Sequence, residues 1–224
     1  MLMRYSSNFR RSAIRSAVLN ENILARSSSS ARVKLYQELK GRYILDEETP
    51  LFSAFLEEWH SFPDERDRLF LSYILFALND LTVMVTSIGW LFPFLRQAPS
   101  ELKTGDLVAY FEHLAQTSYP EIKAWSPSTL CRMARHYLAS VRDFGLASGG
   151  TRKVTVRPAL QPAALRLLLK ALLMVKVPSD EIIRHQAFKI LGIAPSEIVE
   201  TLAELNRQRV LRFRMQADVI ELFL

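Results

Sequence analysis

The chain has 224 residues, 49% hydrophobic and 23% charged, with only seven glycines and ten prolines; it holds enough apolar side chain for a core, and disordered, collagenous and low-complexity classes are excluded. A single cysteine, Cys131, rules out an internal disulfide and a cysteine-based zinc site. The net charge of +6 is segregated: residues 1–42 carry nine Lys/Arg against two acids, 43–125 five against thirteen, 126–176 nine against one, and 177–224 six against seven. Two basic blocks around an acidic one point to an anionic partner, or to a self-complementary fold in which the acidic block docks on the basic ones.

The start, MLMRYSSNFRRSAIRS, is basic but lacks an apolar run followed by a small-residue cleavage site, so it does not read as a secretory signal and the expected location is cytoplasmic. Residues 8–24 predict one helix, or two broken near Asn20. Ser27–Ser30 then read as capping serines ahead of a helix carrying Ala31, Leu35 and Leu39 on one side and stopping near Gly41. A helix start rich in serines offers free amides and hydroxyls to a phosphate, which makes Arg10, Arg11, Arg15, Arg26, Ser28, Arg32 and Lys34 the first candidate docking set. The competing reading pairs several of these arginines with Asp46–Glu48 and Glu57–Glu58.

Pro50 opens a helix with Leu51, Phe52, Phe55, Leu56 and Trp59 at helical spacing. From Leu69 to Leu95 the chain has Asp80 as its only charge, a length sufficient to cross a bilayer of ~30 Å. Asn79 and Asp80 fall near the middle, acids crowd the start after Pro63, and Pro93 reads as a stop. These signs favour a buried central helix in which Asp80 needs a partner or a helix-end donor. Another helix is expected over Ser100–Ala115. Period-2 patterns are few, the clearest being Lys153–Val156 and Arg209–Met215.

The second basic block is the most legible. Pro120 starts a short helix, Ser126-Pro127-Ser128 makes a turn and cap, a long helix runs to about Leu146, and Gly149-Gly150 leads into a short basic strand. On a helical wheel Ala134, Tyr137, Val141 and Phe144 all lie within about 40° of Leu130. Ser128, Arg132, Arg135 and Arg142 share the opposite face, and Thr151, Arg152 and Lys153 follow as a wing or backbone clamp. An apolar back with guanidinium forks in front is what a recognition helix presents to a DNA major groove. An ordinary amphipathic helix with solvated arginines has the same wheel, but usually interleaves acids, and here Asp143 stands alone among nine bases.

The last fifty residues predict helices and a hairpin in a winged-helix outline, with a turn at Gly192, a helix start at Pro195 and a seam of Ile198, Leu202 and Leu205. Glu197, Glu200 and Glu204 on its outer face would repel phosphate, whereas Arg207, Arg209, Arg212 and Arg214 on the ribbon can touch a backbone. No glycine-rich phosphate loop, paired metal-spaced histidines or Gly-x-Ser-x-Gly motif occurs. His60, His113, His136 and His185 are scattered, so no catalysis, metal, cofactor or small-molecule substrate is expected.

The stretches YSSNFRRSAIRSAVLNENILARSSSSARV, FALND with WLFP, and WSPSTLCRMARHYLASVRDFGLASGGTRK followed by Pro158 resemble the BrxA family of BREX bacteriophage-exclusion systems, with specificity in their order and spacing. The resemblance implies an almost wholly helical protein with helix-turn-helix elements, binding double-stranded DNA beside other BREX proteins, and no catalysis by this subunit. The expected fold class is therefore predominantly all-α, a compact multi-helix globule with at most a short β-ribbon in its C-terminal part. Its expected regions are 1–119, with the basic start and buried central helix, and 120–224, with the second helix-turn-helix and the winged end, packed as one unit. An assembly adaptor meeting acidic protein partners is the alternative function; a membrane protein is the third.

Overall fold

The computed structural model describes residues 11–43, 45–46, 48–62, 64–157, 159, 162–216 and 219–224; Arg11 and Val219 are described in their backbone only. Helix α1 (Arg11–Leu19) ends at Asn20, and α2 (Ser29–Tyr43) is capped by Ser28, whose Oγ accepts from the Ala31 amide at 3.2 Å. Tyr36 is the buried side chain of α2, while Ala31, Leu35 and Leu39 are half-buried beside it. Helix α3 (Pro50–Ser61) buries Phe52, Phe55 and Trp59 as the spacing predicts, and with them Glu58.

The apolar stretch is two helices. Helix α4 (Glu65–Asn79) starts where the Asp64 carboxylate accepts from the Arg66 and Asp67 amides, and it ends at Asp80. Asp80 adopts extended backbone, φ −122°, and its Oδ1 accepts from the Val83 amide at 3.1 Å, so it caps a new helix, α5 (Leu81–Thr86). The expected single helix is thus corrected. The donor that Asp80 needs is a helix-end amide, and reaching it requires the chain to leave helical geometry. Next to it, Asn79 Nδ2 donates to the carbonyls of Gly41 and Arg42, closing the C-terminus of α2. After α5 a π-turn (Ser87–Leu91) leads into α6 (Phe92–Arg96), whose first turn holds Pro93 where its missing N–H costs little. Pro93 therefore does not stop the helix. Among the described residues no single helix is long and apolar enough to cross a membrane; Glu65–Asn79 and Leu81–Arg96 reach that length only together, bent by 110°.

A short strand β1 (Glu101–Leu102) precedes α7 (Thr104–Thr117), which begins later than the expected start at Ser100. A 3₁₀ turn (Pro120–Ala124), α8 (Pro127–Asp143), β2 (Ala147–Ser148) and β3 (Lys153–Thr155) follow. The three strands form an antiparallel sheet in the order β1-β3-β2, with Glu101 opposite Val154 and Ala147 opposite Thr155. Two residues are too few to show alternation, which is why β1 left no signal. The chain continues through α9 (Pro162–Met174), α10 (Ser179–Ile182), 3₁₀ turns over Gln186–Leu191 and Pro195–Glu197, and α11 (Ile198–Arg207), then closes with a ribbon of β4 (Arg212–Gln216) and β5 (Val219–Phe223). Ile198, Leu202 and Leu205 are buried as expected, and Gly192 makes its turn at φ 73°. The class is predominantly helical.

Helices α4 and α9 are apolar almost all round because both are enclosed: α9 packs on α3 and α4, and α2 crosses α4. Two polar knots are buried among them. In the first, Glu58 receives Arg166 Nε at 2.9 Å and Lys170 Nζ at 2.6 Å. In the second, Ser87 Oγ donates to the Val83 carbonyl at 2.7 Å, accepts from Tyr73 Oη at 2.7 Å and lies 2.9 Å from Tyr137 Oη. Burial raises both phenols above their ordinary pKa, so each keeps its proton to donate. Ser87→Ala leaves two buried hydroxyls without their shared acceptor and is expected to cost about 2–4 kcal/mol, against about 1 kcal/mol for Tyr137→Phe. Urea unfolding of the two variants measures the difference, and equal losses would contradict Ser87 as the common acceptor.

Candidate nucleic-acid interface

Helix α8 is built with two sides. Ser126 caps it by accepting from the Thr129 amide at 3.3 Å, Pro127 fills its first position, and Leu130, Ala134, Tyr137, Leu138 and Val141 are buried. Ser128, Arg132 and Arg135 are exposed on the other side. Among the described residues neither Arg132 nor Arg135 has a side-chain hydrogen bond or ion pair. Both guanidinium groups are therefore uncommitted at the front of a helix fixed from behind. Arg142 differs, because its Nε and Nη2 donate to Asp143 Oδ1 at 2.9 and 2.6 Å.

The hairpin between β2 and β3 stands directly after α8. Its turn depends on Gly149, which has φ 92° and whose Cβ, were there one, would collide with the Arg152 carbonyl oxygen. Arg152 is 74% exposed and pairs with Glu101 of β1 at 3.2 Å, a contact worth little in water, while Lys153 Nζ donates to the Gly150 carbonyl at 3.0 Å.

The first basic block divides. Arg10 lies outside the described residues, and of Arg11 only the backbone, at the start of α1, is described. Arg15, Arg26, Ser28 and Lys34 are exposed, Arg26 and Ser28 at the turn that opens α2. Arg32 is turned inward instead: Nη1 donates to the Leu19 carbonyl at 2.7 Å, closing the C-terminus of α1. The competing pairing with Glu57 and Glu58 is corrected, since these acids take Arg166 and Lys170 of α9, so two cations of the second block are internal.

The two blocks border one recess at one end of α2. Arg42, in the last turn of α2, lines a recess of about 100 Å³ together with Asp80, Thr82, Met133, His136 and Ser140, so it borders the flank of α8. Sequence reasoning missed this juxtaposition because it depends on Asn79, which holds the end of α2 against the elbow at Asp80. Ser28 and Arg26 lie at the opposite end of α2, roughly 22 Å along its axis. Among the described residues no cluster of three or more His, Cys, Asp or Glu is placed to hold a metal ion.

A family model described as BrxA matches residues 2–172, about three quarters of the chain. No curated protein and no solved structure matches.

Proposed function

Because the chain belongs to the BrxA family, a component of BREX phage-defence systems, we propose that it is a non-catalytic cytoplasmic subunit that binds double-stranded DNA and works beside other BREX proteins. The observation that carries this reading is α8, whose exposed Ser128, Arg132 and Arg135 are backed by a buried seam and followed by a basic hairpin. The order strand, helix, 3₁₀ turn, helix, hairpin, with the sheet running β1-β3-β2, supports reading α8 as the second helix of a helix-turn-helix with the hairpin as its wing. The first turns of α8 enter the major groove, about 12 Å wide, with the arginines on phosphates and guanine edges. Arg152 and Lys153 clamp the backbone beside it, and the serine-capped start of α2, with Arg15, Arg26 and Lys34, adds a further phosphate contact.

With about six phosphates neutralised, log affinity for a duplex is expected to fall with log salt at a slope near −5. Anisotropy of a labelled duplex across a salt series measures it, and a slope shallower than about −2 contradicts a two-block footprint. A second reading, an adaptor that contacts protein partners, is favoured by the exposed apolar tip of α9 at Leu173, Met174 and Val175. Competition between a duplex and a purified BREX subunit separates the two.

A further inference from the structure

The C-terminal ribbon has a cationic face that the α8 reading does not use. β4 and β5 are paired with Arg212 opposite Phe223 and Arg214 opposite Glu221. Side chains alternate along a strand and residues directly opposite share a face, so Arg212, Arg214, Gln216, Glu221 and Phe223 stand together. Phe213 points the other way, is buried, and its amide donates to Asn206 Oδ1 at 3.0 Å, which fixes the face that looks outward. Phe223 is 60% exposed, and Arg212, Arg214 and Gln216 are exposed around it. Arg209, on a left-handed turn at φ 59° just before β4, is exposed as well. Among the described residues the side chains of Arg209, Arg212 and Arg214 have no hydrogen bond or ion pair, whereas neighbouring Arg207 is committed to Glu204. Glu221, across from Arg214, offsets one of the three charges and leaves the ribbon net cationic.

An aromatic ring lying open on a sheet beside unpaired guanidinium groups matches the chemistry of an unpaired nucleic-acid strand. Such a strand offers a base face to the ring and phosphates to the arginines, while a duplex keeps its base faces stacked away. Two positions along β4 separate Arg212 from Arg214 by about 6.8 Å, close to the step between phosphates of an extended strand. We propose that the ribbon is a separate platform for single-stranded nucleic acid, with Phe223 stacking on a base and Arg212 and Arg214 on successive phosphates. The site lies beyond the segment matched by the family model and does not depend on α8.

The test uses the full chain with fluorescein-labelled oligo-dT and oligo-rU, whose relative affinities distinguish a DNA from an RNA ligand. Binding is expected to at least one of them. Phe223→Ala and Arg212→Glu are each expected to weaken it about tenfold, Phe223→Trp to retain it, and the double variant Arg132→Glu/Arg135→Glu to leave it unchanged while losing duplex binding. These ribbon side chains are exposed, so circular dichroism and the thermal midpoint should stay at the wild-type values. The proposal is overturned by absence of binding to both oligonucleotides, by Phe223→Ala binding as the wild type does, or by a loss that follows the α8 variant alone. It is equally overturned if Phe223→Ala changes the elution volume of the free protein, which would make the ribbon a self-association face.

Discussion

Glu58→Gln is expected to destabilise the protein by about 3–5 kcal/mol and lower its thermal midpoint by roughly 6–20 °C. The Glu58 side chain is fully buried, and the groups it holds, Arg166 and Lys170, are only 18% and 14% exposed. Neutralising the carboxylate leaves two largely buried cations side by side, with only the exposed Glu57 to offset Lys170, and the cost of that exceeds the value of the pair itself. The adjacent Glu57 provides the control. It takes the same Lys170 at 2.7 Å, and this contact holds its carboxyl below the ordinary carboxylate pKa, yet its side chain is 63% exposed. Glu57→Gln should therefore cost under about 0.5 kcal/mol. Thermal and urea unfolding of the two variants decide the matter, and a Glu58→Gln protein as stable as the wild type would show that the knot is not what holds α3 to α9.

Reversing Arg132 and Arg135 together to glutamate is expected to lower duplex affinity at least a hundredfold at about 100 mM salt while leaving the helical signal intact. Each arginine is exposed and, among the described residues, without a partner, and glutamate is as good a helix former as arginine, so folding has little to lose. Binding loses two phosphate or base contacts and gains two repulsions. Arg142→Glu should matter less, because the guanidinium it removes is already shared with Asp143. Anisotropy of the double variant reads the result; unchanged affinity would remove α8 from the interface, whatever the remaining basic residues do.

The legible parts of the fold were those in which one helix carries its own pattern. Residues Pro127 to Val141 announce cap, seam and arginine face within a few turns, and the structure follows them. The same holds for Ile198, Leu202 and Leu205. Less legible were features settled by partners far along the chain. Asn79 reads as a blemish in an apolar run until the distant carbonyls of Gly41 and Arg42 supply its reason. Glu58 sits on the apolar side of its helix, which is itself a signal of a buried partner, but nothing local identifies Arg166, 108 residues later. Arg32 shows the converse error: its composition says surface, and the open carbonyl of Leu19 draws it inward. The arginines of α8 could be read because solvent makes no long-range demand on them.

Arg166 also touches a third part of the chain. While its Nε faces Glu58, its Nη1 donates to the Val210 carbonyl at 2.6 Å, just ahead of the C-terminal ribbon. One side chain thus reports the docking of the tail to the helix that carries Glu58. Melting of the tail would strip a bond from the group that neutralises the interior carboxylate, and loss of that carboxylate would loosen the tail. Helix α3 and the C-terminal ribbon are thermodynamically linked, and they should denature in a single cooperative transition rather than as a frayed appendage followed by a stable remainder.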